Sequence, residues 1–312
     1  MLRRAPGYLI ALLACSALAF AGARAPARAQ SSSGAATYIG SEACKQCHEE
    51  RWNSFQNSPH ARAEADGAVV ADHVGCESCH GPGSLHAAAA GDTTDAGFHT
   101  IRNPAKLGYE ASTEICLTCH KGGEQFYWAN SNHALNGVGC LNCHSIHHPQ
   151  NPGGGPMLNA RDVNLMCLTC HKEKRAGLQR SGHMPLREGG MTCADCHNPH
   201  GSAADHQLRA ATVNDLCTKC HADKRGPFLW EHPPVRENCL NCHQPHGSNN
   251  EKVLAAKRPY LCQRCHVSGS GHPSTLYDYP DLLVNRTLNR SCQNCHTQIH
   301  GSNHPSGKFF LR

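Results

Sequence analysis

Aromatic side chains are scarce in this 312-residue chain: 3 Trp, 7 Tyr and 7 Phe make up 5% of it. Hydrophobic residues of every kind reach only 39%, and that figure includes 21 cysteines. Length alone would allow two or three ordinary domains, yet Val, Ile, Leu and Phe are too sparse to fill cores of that size. Something other than side chains must occupy the interior. After residue 29 no apolar run approaches the roughly 18 residues that a membrane-spanning helix needs, so no transmembrane span is expected in the mature chain. Strong charge is missing too. The formal net charge is +5, and residues 1–29 hold four arginines and no acid, which leaves the remainder near +1. No basic run carries interleaved aromatics, so nucleic-acid binding has no support.

What is present begins with an export signal. Arg3 and Arg4 precede the apolar run Tyr8–Ala21, and Ala27-Arg28-Ala29 supplies a small-residue cleavage site before Gln30. This predicts a signal peptide over residues 1–29, removed on export. A retained anchor, or a lipoprotein box at Leu12-Leu13-Ala14-Cys15, is the alternative. Residues 30–312 then form one domain.

Cys15 leaves with the signal, and every remaining cysteine falls inside a Cys-x-x-Cys-His pentad. The cysteine pairs are Cys44 and Cys47, Cys76 and Cys79, Cys116 and Cys119, Cys140 and Cys143, and Cys167 and Cys170. They continue with Cys193 and Cys196, Cys217 and Cys220, Cys239 and Cys242, Cys262 and Cys265, and Cys292 and Cys295. The pentad is the attachment signature of c-type haem. Its two thiols add across the vinyl groups, and its histidine falls beneath the iron as proximal ligand. Those histidines are His48, His80, His120, His144, His171, His197, His221, His243, His266 and His296. Disulfide frameworks do not require a histidine after every second cysteine, and ten zinc knuckles each ending in Cys-His would be an odd array. Thioredoxin-like pairs occur once or twice per domain. The count therefore predicts ten covalently attached haem c groups, whose macrocycles supply the missing apolar interior.

Odd and even pentads differ in how soon the next histidine comes. After the odd ones a lone histidine comes later: His60, His133, His183, His232 and His272, at offsets of 12, 13, 12, 11 and 6 from the proximal histidine. After the even ones it comes sooner: His86, His147, His200, His246 and His300, at offsets of 6, 3, 3, 3 and 4. Ten extra histidines match ten distal positions, so all irons are expected to be bis-histidine ligated within five di-haem repeats. A histidine three residues after a proximal ligand cannot reach the opposite face of the same haem. His147, His200 and His246 should therefore serve neighbouring haems. His304 could replace His300 on the last one.

The fold class expected is a multihaem cytochrome c of low secondary-structure content, with short α-helices and loops wrapped around an elongated array of ten haems. Helical turns are expected over Arg161–Lys174 and Asn214–Lys224, turns at the Asn-Pro-His-Gly and Gln-Pro-His-Gly segments, and flexible loops over Ala87–Gly97 and Pro149–Pro156.

Two stretches carry a family resemblance: TVNDLCTKCHADKRGPFLWEHPPVRENCLNCHQPHGS (212–248) and SCQNCHTQIHGSNHPSGKFF (291–310). They resemble the MtrA/DmsE family of outer-membrane decahaem cytochromes, including its Pio/Mto iron-oxidation branch. The resemblance implies a periplasmic protein held at the outer membrane inside a β-barrel porin. It would pass electrons between periplasmic redox proteins and extracellular donors or acceptors, and would not be an enzyme. A haem reductase needs an open axial site, and the histidines suffice to close every iron. A free periplasmic shuttle or storage protein is the other reading.

Overall fold

The computed structural model describes residues 34–67, 75–151, 156–266 and 291–311. The expected signal peptide, the candidate ligand His272 and residues 152–155 of the glycine-rich loop lie outside them. The chain divides into two units, Met1–Ala35 and Ala36–Arg312, and the second holds all ten pentads.

Its elements are short. Among the described residues the longest helix, Tyr109–Leu117, has nine residues. No strand forms among the described residues, and the β-structure there is limited to five isolated bridges. Frequent glycine and proline (29 and 18 residues) break helices before they lengthen. Side-chain caps start them: Ser58 accepts from Ala61 N at 3.2 Å, Ser131 from Ala134 N at 3.1 Å, Asp162 from Leu165 N at 2.8 Å and Thr212 from Asp215 N at 3.0 Å. The helical turns expected near 161–174 and 214–224 are present. Each is divided at its pentad, into Val163–Leu168 with Lys172–Gly177, and Val213–Cys217 with Ala222–Lys224. The buried apolar side chains, Phe55, Ala89, Trp128, Met157, Leu158, Leu178 and Leu254, are scattered along the chain and build no conventional core.

One expected loop is ordered instead. Ser84–Ala88 and Ala96–Thr100 form helical turns that pack together. Asp92 accepts from Thr94 N at 2.8 Å and Asp95 from Gly97 N at 2.6 Å, so local side chains fix a turn where composition suggests looseness.

The two classes of pentad leave their histidines differently. After odd pentads the chain re-enters a helical turn, as at Glu49–Gln56, Lys172–Gly177 and Ala222–Lys224. After the later even pentads it folds back on the pentad, turning in the sixth, eighth and tenth at the glycine next to the close histidine. His144 bridges Leu158, His197 bridges Leu208 and His243 bridges Leu254. The expected turns at 198–201 and 244–247 are present: Gly201 N donates to Asn198 O at 3.0 Å, and Gly247 N to Gln244 O at 3.1 Å.

Candidate haem sites

Each pentad winds as one helical turn. The backbone N–H of its histidine donates to the carbonyl of its first cysteine, for example His48 to Cys44 at 3.0 Å, His144 to Cys140 at 2.9 Å and His221 to Cys217 at 3.0 Å. Positions i, i+3 and i+4 of a helical turn share a face, so two sulfurs and an imidazole point the same way. No disulfide joins the pentad cysteines, and their thiols stand in for the thioether sulfurs of attached haem.

The histidines meet in pairs. Ring centroids lie 6.2 Å apart for His48 with His86, 6.0 Å for His60 with His120, 6.2 Å for His80 with His147 and 6.2 Å for His133 with His171. The others are His144 with His200 at 6.0 Å, His197 with His246 at 6.0 Å, His232 with His266 at 6.3 Å and His243 with His300 at 6.3 Å. An imidazole nitrogen reaches a bound transition metal at about 2 Å, and the ring centre sits about 1 Å further back. Two rings on opposite sides of one ion therefore have centroids about 6 Å apart. The residues fit a bis-histidine metal.

Every pair joins one proximal and one extra histidine. A lone histidine after an odd pentad reaches two pentads forward, whereas the close histidine after an even pentad reaches two pentads back. His86 is the exception, since no pentad lies two before its own, and it meets His48 instead. His147, His200 and His246 thus face the proximal histidines of other pentads. His300 faces the eighth pentad's His243, not the last one's His296. His304 accepts a hydrogen bond from Ser306 N at 3.1 Å. Six pairs are near parallel, with interplanar angles from 17° to 28°. His60 with His120 is crossed at 88°, and His133 with His171 at 61°.

His183 departs from the rule, which would bring it to His221. Its Nδ1 bonds the Arg180 carbonyl at 2.9 Å and its Nε2 the Glu188 carboxylate at 3.0 Å. Glu188 raises the His183 pKa above its ordinary value. No ring faces His221 among the described residues.

Hydrogen bonds orient the rings. On even pentads, Nδ1 of the proximal histidine donates to a carbonyl on the returning chain: His80 to Arg102 at 2.7 Å, His144 to Pro156 at 2.5 Å, His197 to His206 at 2.9 Å, His243 to Lys252 at 2.9 Å and His296 to Phe309 at 2.5 Å. Fixing Nδ1–H leaves Nε2 as the ligating nitrogen and raises its basicity. In the last four, the next residue (Met157, Gln207, Val253 or Phe310) has a φ of 50–56°, which lets the chain reverse at the carbonyl. Distal His86, His133 and His232 use Nδ1 likewise, on Phe98, Pro199 and Ile299 carbonyls at 2.8, 2.8 and 3.1 Å. In six of the distal histidines burial favours the neutral ring, the form that ligates metal. It lowers the pKa of His147 and of His200 to about 4, and also depresses His60, His232, His246 and His300.

The sulfurs form a second alternating series. Within a repeat the first cysteines adjoin: Cys44 with Cys76, Cys116 with Cys140, Cys167 with Cys193, Cys217 with Cys239 and Cys262 with Cys292. Between repeats the second cysteines are neighbours: Cys79 with Cys119, Cys143 with Cys170, Cys196 with Cys220 and Cys242 with Cys265. Burial, then the Cys76 thiol, pushes Cys44 up to about 11. The hydrogen bond with Cys116 brings Cys140 down to about 7.

Sequence reasoning missed what clamps three of the repeats. Three residues before the odd pentad, a polar side chain accepts from the backbone N–H that opens the even one. Ser41 holds Cys76 N at 2.9 Å, Asn164 holds Cys193 N at 2.8 Å and Asn214 holds Cys239 N at 2.8 Å. Thr113 occupies the same position before the third pentad, with its side chain beside Cys140. The signal was readable as Ser, Thr, Asn and Asn at one register; the fifth repeat has Pro259 there.

Known proteins agree with this reading. A family model described as a doubled CXXCH motif matches residues 133–176, 183–226 and 232–271, and one for cytochrome c554 and c-prime matches 84–145. The doubled motif begins on His133, His183 and His232 and so pairs an even pentad with the next odd one. That is the frame in which His133 meets His171 and His232 meets His266. Among solved structures, an undecahaem cytochrome from the S-layer of Carboxydothermus ferrireducens is 21% identical and covers 78% of this chain. This chain spans only 35% of that one, and at a TM-score of 0.13 the likeness carries no argument. The multihaem cytochrome MtrA of Shewanella baltica is 37% identical over 281 residues, 88% of this chain and 81% of that protein. On that similarity and its pentads, the chain is a haem c protein and belongs to the MtrA family of multihaem cytochromes.

Proposed function

We propose that this electron-transfer protein is a conduit: ten bis-histidine haem c groups in sequence order, held within an outer-membrane β-barrel porin. It would link periplasmic carriers to extracellular donors or acceptors. The observation that carries the reading is the unbroken alternation of adjoining cysteines, first with first inside a repeat and second with second between repeats. Each sulfur marks a haem edge, so consecutive attachment sites are neighbours along the described chain.

Bound haem supplies reversible one-electron chemistry at iron, and histidine pairs without methionine favour low potentials. The chain's own part is to order, orient and enclose. The pentad helices place the sulfurs, the return-chain carbonyls fix the proximal tautomers, and the buried distal imidazoles stay neutral. The eight pairs of facing histidines, which would close both sides of an iron, argue against substrate chemistry. No described helix is long and apolar enough to cross a membrane, and irregular backbone does not face lipid hydrocarbon. A closed barrel with a polar interior offers the path.

The test is reconstitution. Alone, the mature protein should leave a redox dye inside a sealed liposome unreduced by an external reductant. With its barrel partner it should reduce that dye. Transfer by the bare cytochrome, or none by the complex, would replace the conduit with a free shuttle.

A further inference from the structure

In the second pentad the residue after the first cysteine is an acid, Glu77, where the other nine pentads have Lys, Leu, Ala, Thr or Gln. Glu77 is also enclosed, at 3% exposure, and no other carboxylate, Lys or Arg among the described residues is buried. A lone buried charge is costly unless the fold provides for it.

The backbone provides for this one. Glu77 sits in the first turn of the pentad helix Cys76–His80, and residues 37–40 cross over it. Ile39 N donates to both carboxylate oxygens at 3.1 Å, Gly40 N to Oε2 at 2.8 Å and Gly83 N to Oε1 at 2.7 Å. The crossing segment is tied separately to Ser84, whose Oγ accepts from Thr37 N at 2.8 Å and whose N donates to the Thr37 carbonyl at 3.2 Å. Gly83 permits the close approach, since a Cβ there would lie 3.3 Å from Glu77 Oε1 and 3.6 Å from the Ile39 side chain. Every bond is donated to the carboxylate, which is the bonding of the ionised group. No described ion pair includes it. None of its partners is a pentad thiol or histidine, so haem attachment does not compete for them.

The charge lies where two attachment sites meet. Cys76 directly precedes Glu77, and Cys44, which adjoins Cys76, also feels the carboxylate. Nearby, Glu64 accepts from Gly75 N at 2.7 Å, and Arg102 reaches Gly81 on the far side of the pentad.

We propose that Glu77 is a potential-setting residue, whose fixed charge lowers the reduction potentials of the two haems of the first repeat, attached at Cys44 with Cys47 and at Cys76 with Cys79. Reduction of either haem adds one electron beside a negative charge that burial leaves poorly screened. The first repeat then passes electrons to later haems more readily than a neutral site would. This rests on the haem reading and is tested separately from it.

The experiment uses the mature holoprotein, with its haem count first fixed by intact mass, in an anaerobic spectroelectrochemical titration. Glu77→Gln keeps the size and removes the charge. It should raise the reduction equilibrium constant of two of the ten haems about tenfold, or about 59 mV each for one electron, and leave the others in place. The shift should persist at high salt, because the charge is buried. Glu77→Asp keeps the charge and should titrate close to the parent protein. Ser84→Ala loosens the crossing segment without touching the charge, and should lower stability while leaving the potentials unchanged. An unchanged titration of Glu77→Gln, or a shift to lower potential, would overturn the proposal and leave the haem reading standing. The same shift in Ser84→Ala would overturn it too, since the segment and not the charge would then set the potential. A mass short of the haems at the first two pentads would overturn both.

Discussion

Odd and even pentads share one covalent chemistry and differ in what surrounds it. Even proximal histidines donate Nδ1–H to a returning backbone carbonyl, as His197 does to His206 at 2.9 Å. Among the described residues His48, His120, His171, His221 and His266 make no such bond. Odd pentads lead into helix, whereas the fourth, sixth, eighth and tenth lead into a turn that carries the close histidine and the fold-back. One half of each repeat therefore orients its own imidazole. In three of the repeats the other half, at His120, His171 and His266, meets a histidine supplied from two pentads earlier. The difference teaches that neither pentad is complete alone, and that histidines meeting across pentads join segments that share little side-chain core.

Breaking the even turn should cost most. Gly247 has a φ of +121°, and a Cβ there would lie 2.0 Å from the Gly177 carbonyl oxygen, in the segment leading to His183. Gly247→Ala must strain the backbone and push two segments apart, at a cost of about 2–5 kcal/mol in chemical denaturation of the holoprotein. After an odd pentad the same change meets open space: Gly122 has no atom near its Cβ position, and Gly122→Ala should stay within about 0.5 kcal/mol.

A middle-sized effect is expected where the two classes join. Asn214 donates to the Val235 and Arg236 carbonyls at 2.9 and 3.0 Å while accepting from Cys239 N. Asn164 makes the same three bonds, to Leu186, Met191 and Cys193. Replacing either with Ala leaves part-buried backbone groups unpaired and should cost about 2 kcal/mol. Equal losses in both variants would sharpen the repeat, whereas a loss in only one would break it.

The smallest effect depends on pH. Glu124, just past the third pentad, pairs with Arg209 on the sixth pentad's return through two contacts of 2.9 Å. The Arg209 hydrogen bond holds its carboxyl below the usual range. A depressed carboxylate adds stability above its unfolded pKa and loses it as pH falls through the folded value. At 53% exposure for Glu124 the gain is below about 1 kcal/mol. Glu124→Gln should remove that acid-side step from the stability profile.

Much of this was legible in the sequence, because covalent chemistry fixes it. The pentads, the alternation of offsets and the sparse helices come from residue types at set spacings. That His147, His200 and His246 would turn to other pentads was also legible, since three residues cannot carry a ring round a macrocycle. Which pentad each faces was not. A reach of two pentads depends on how chain segments stack, as when Gly201 approaches Tyr127 or Gly247 approaches Gly177. The carbonyls of Pro156, His206, Lys252 and Phe309 were hidden because backbone groups carry no residue signal. Glu188 was hidden because only a folded neighbourhood brings it to His183.

Exchange of ligands over two pentads is the central claim, and His60 tests it most directly. His60 meets His120 with rings crossed at 88°, whereas His48, the proximal ligand of the pentad just before it, pairs with His86 at 18°. Crossed and parallel imidazole planes give low-spin ferric haem different g-anisotropy in electron paramagnetic resonance. In oxidised holoprotein, His60→Ala should remove the more anisotropic, crossed-plane signal of one haem, add one high-spin signal, and leave the near-parallel signals intact. Loss of a near-parallel signal instead, or no change in spin state, would contradict the exchange.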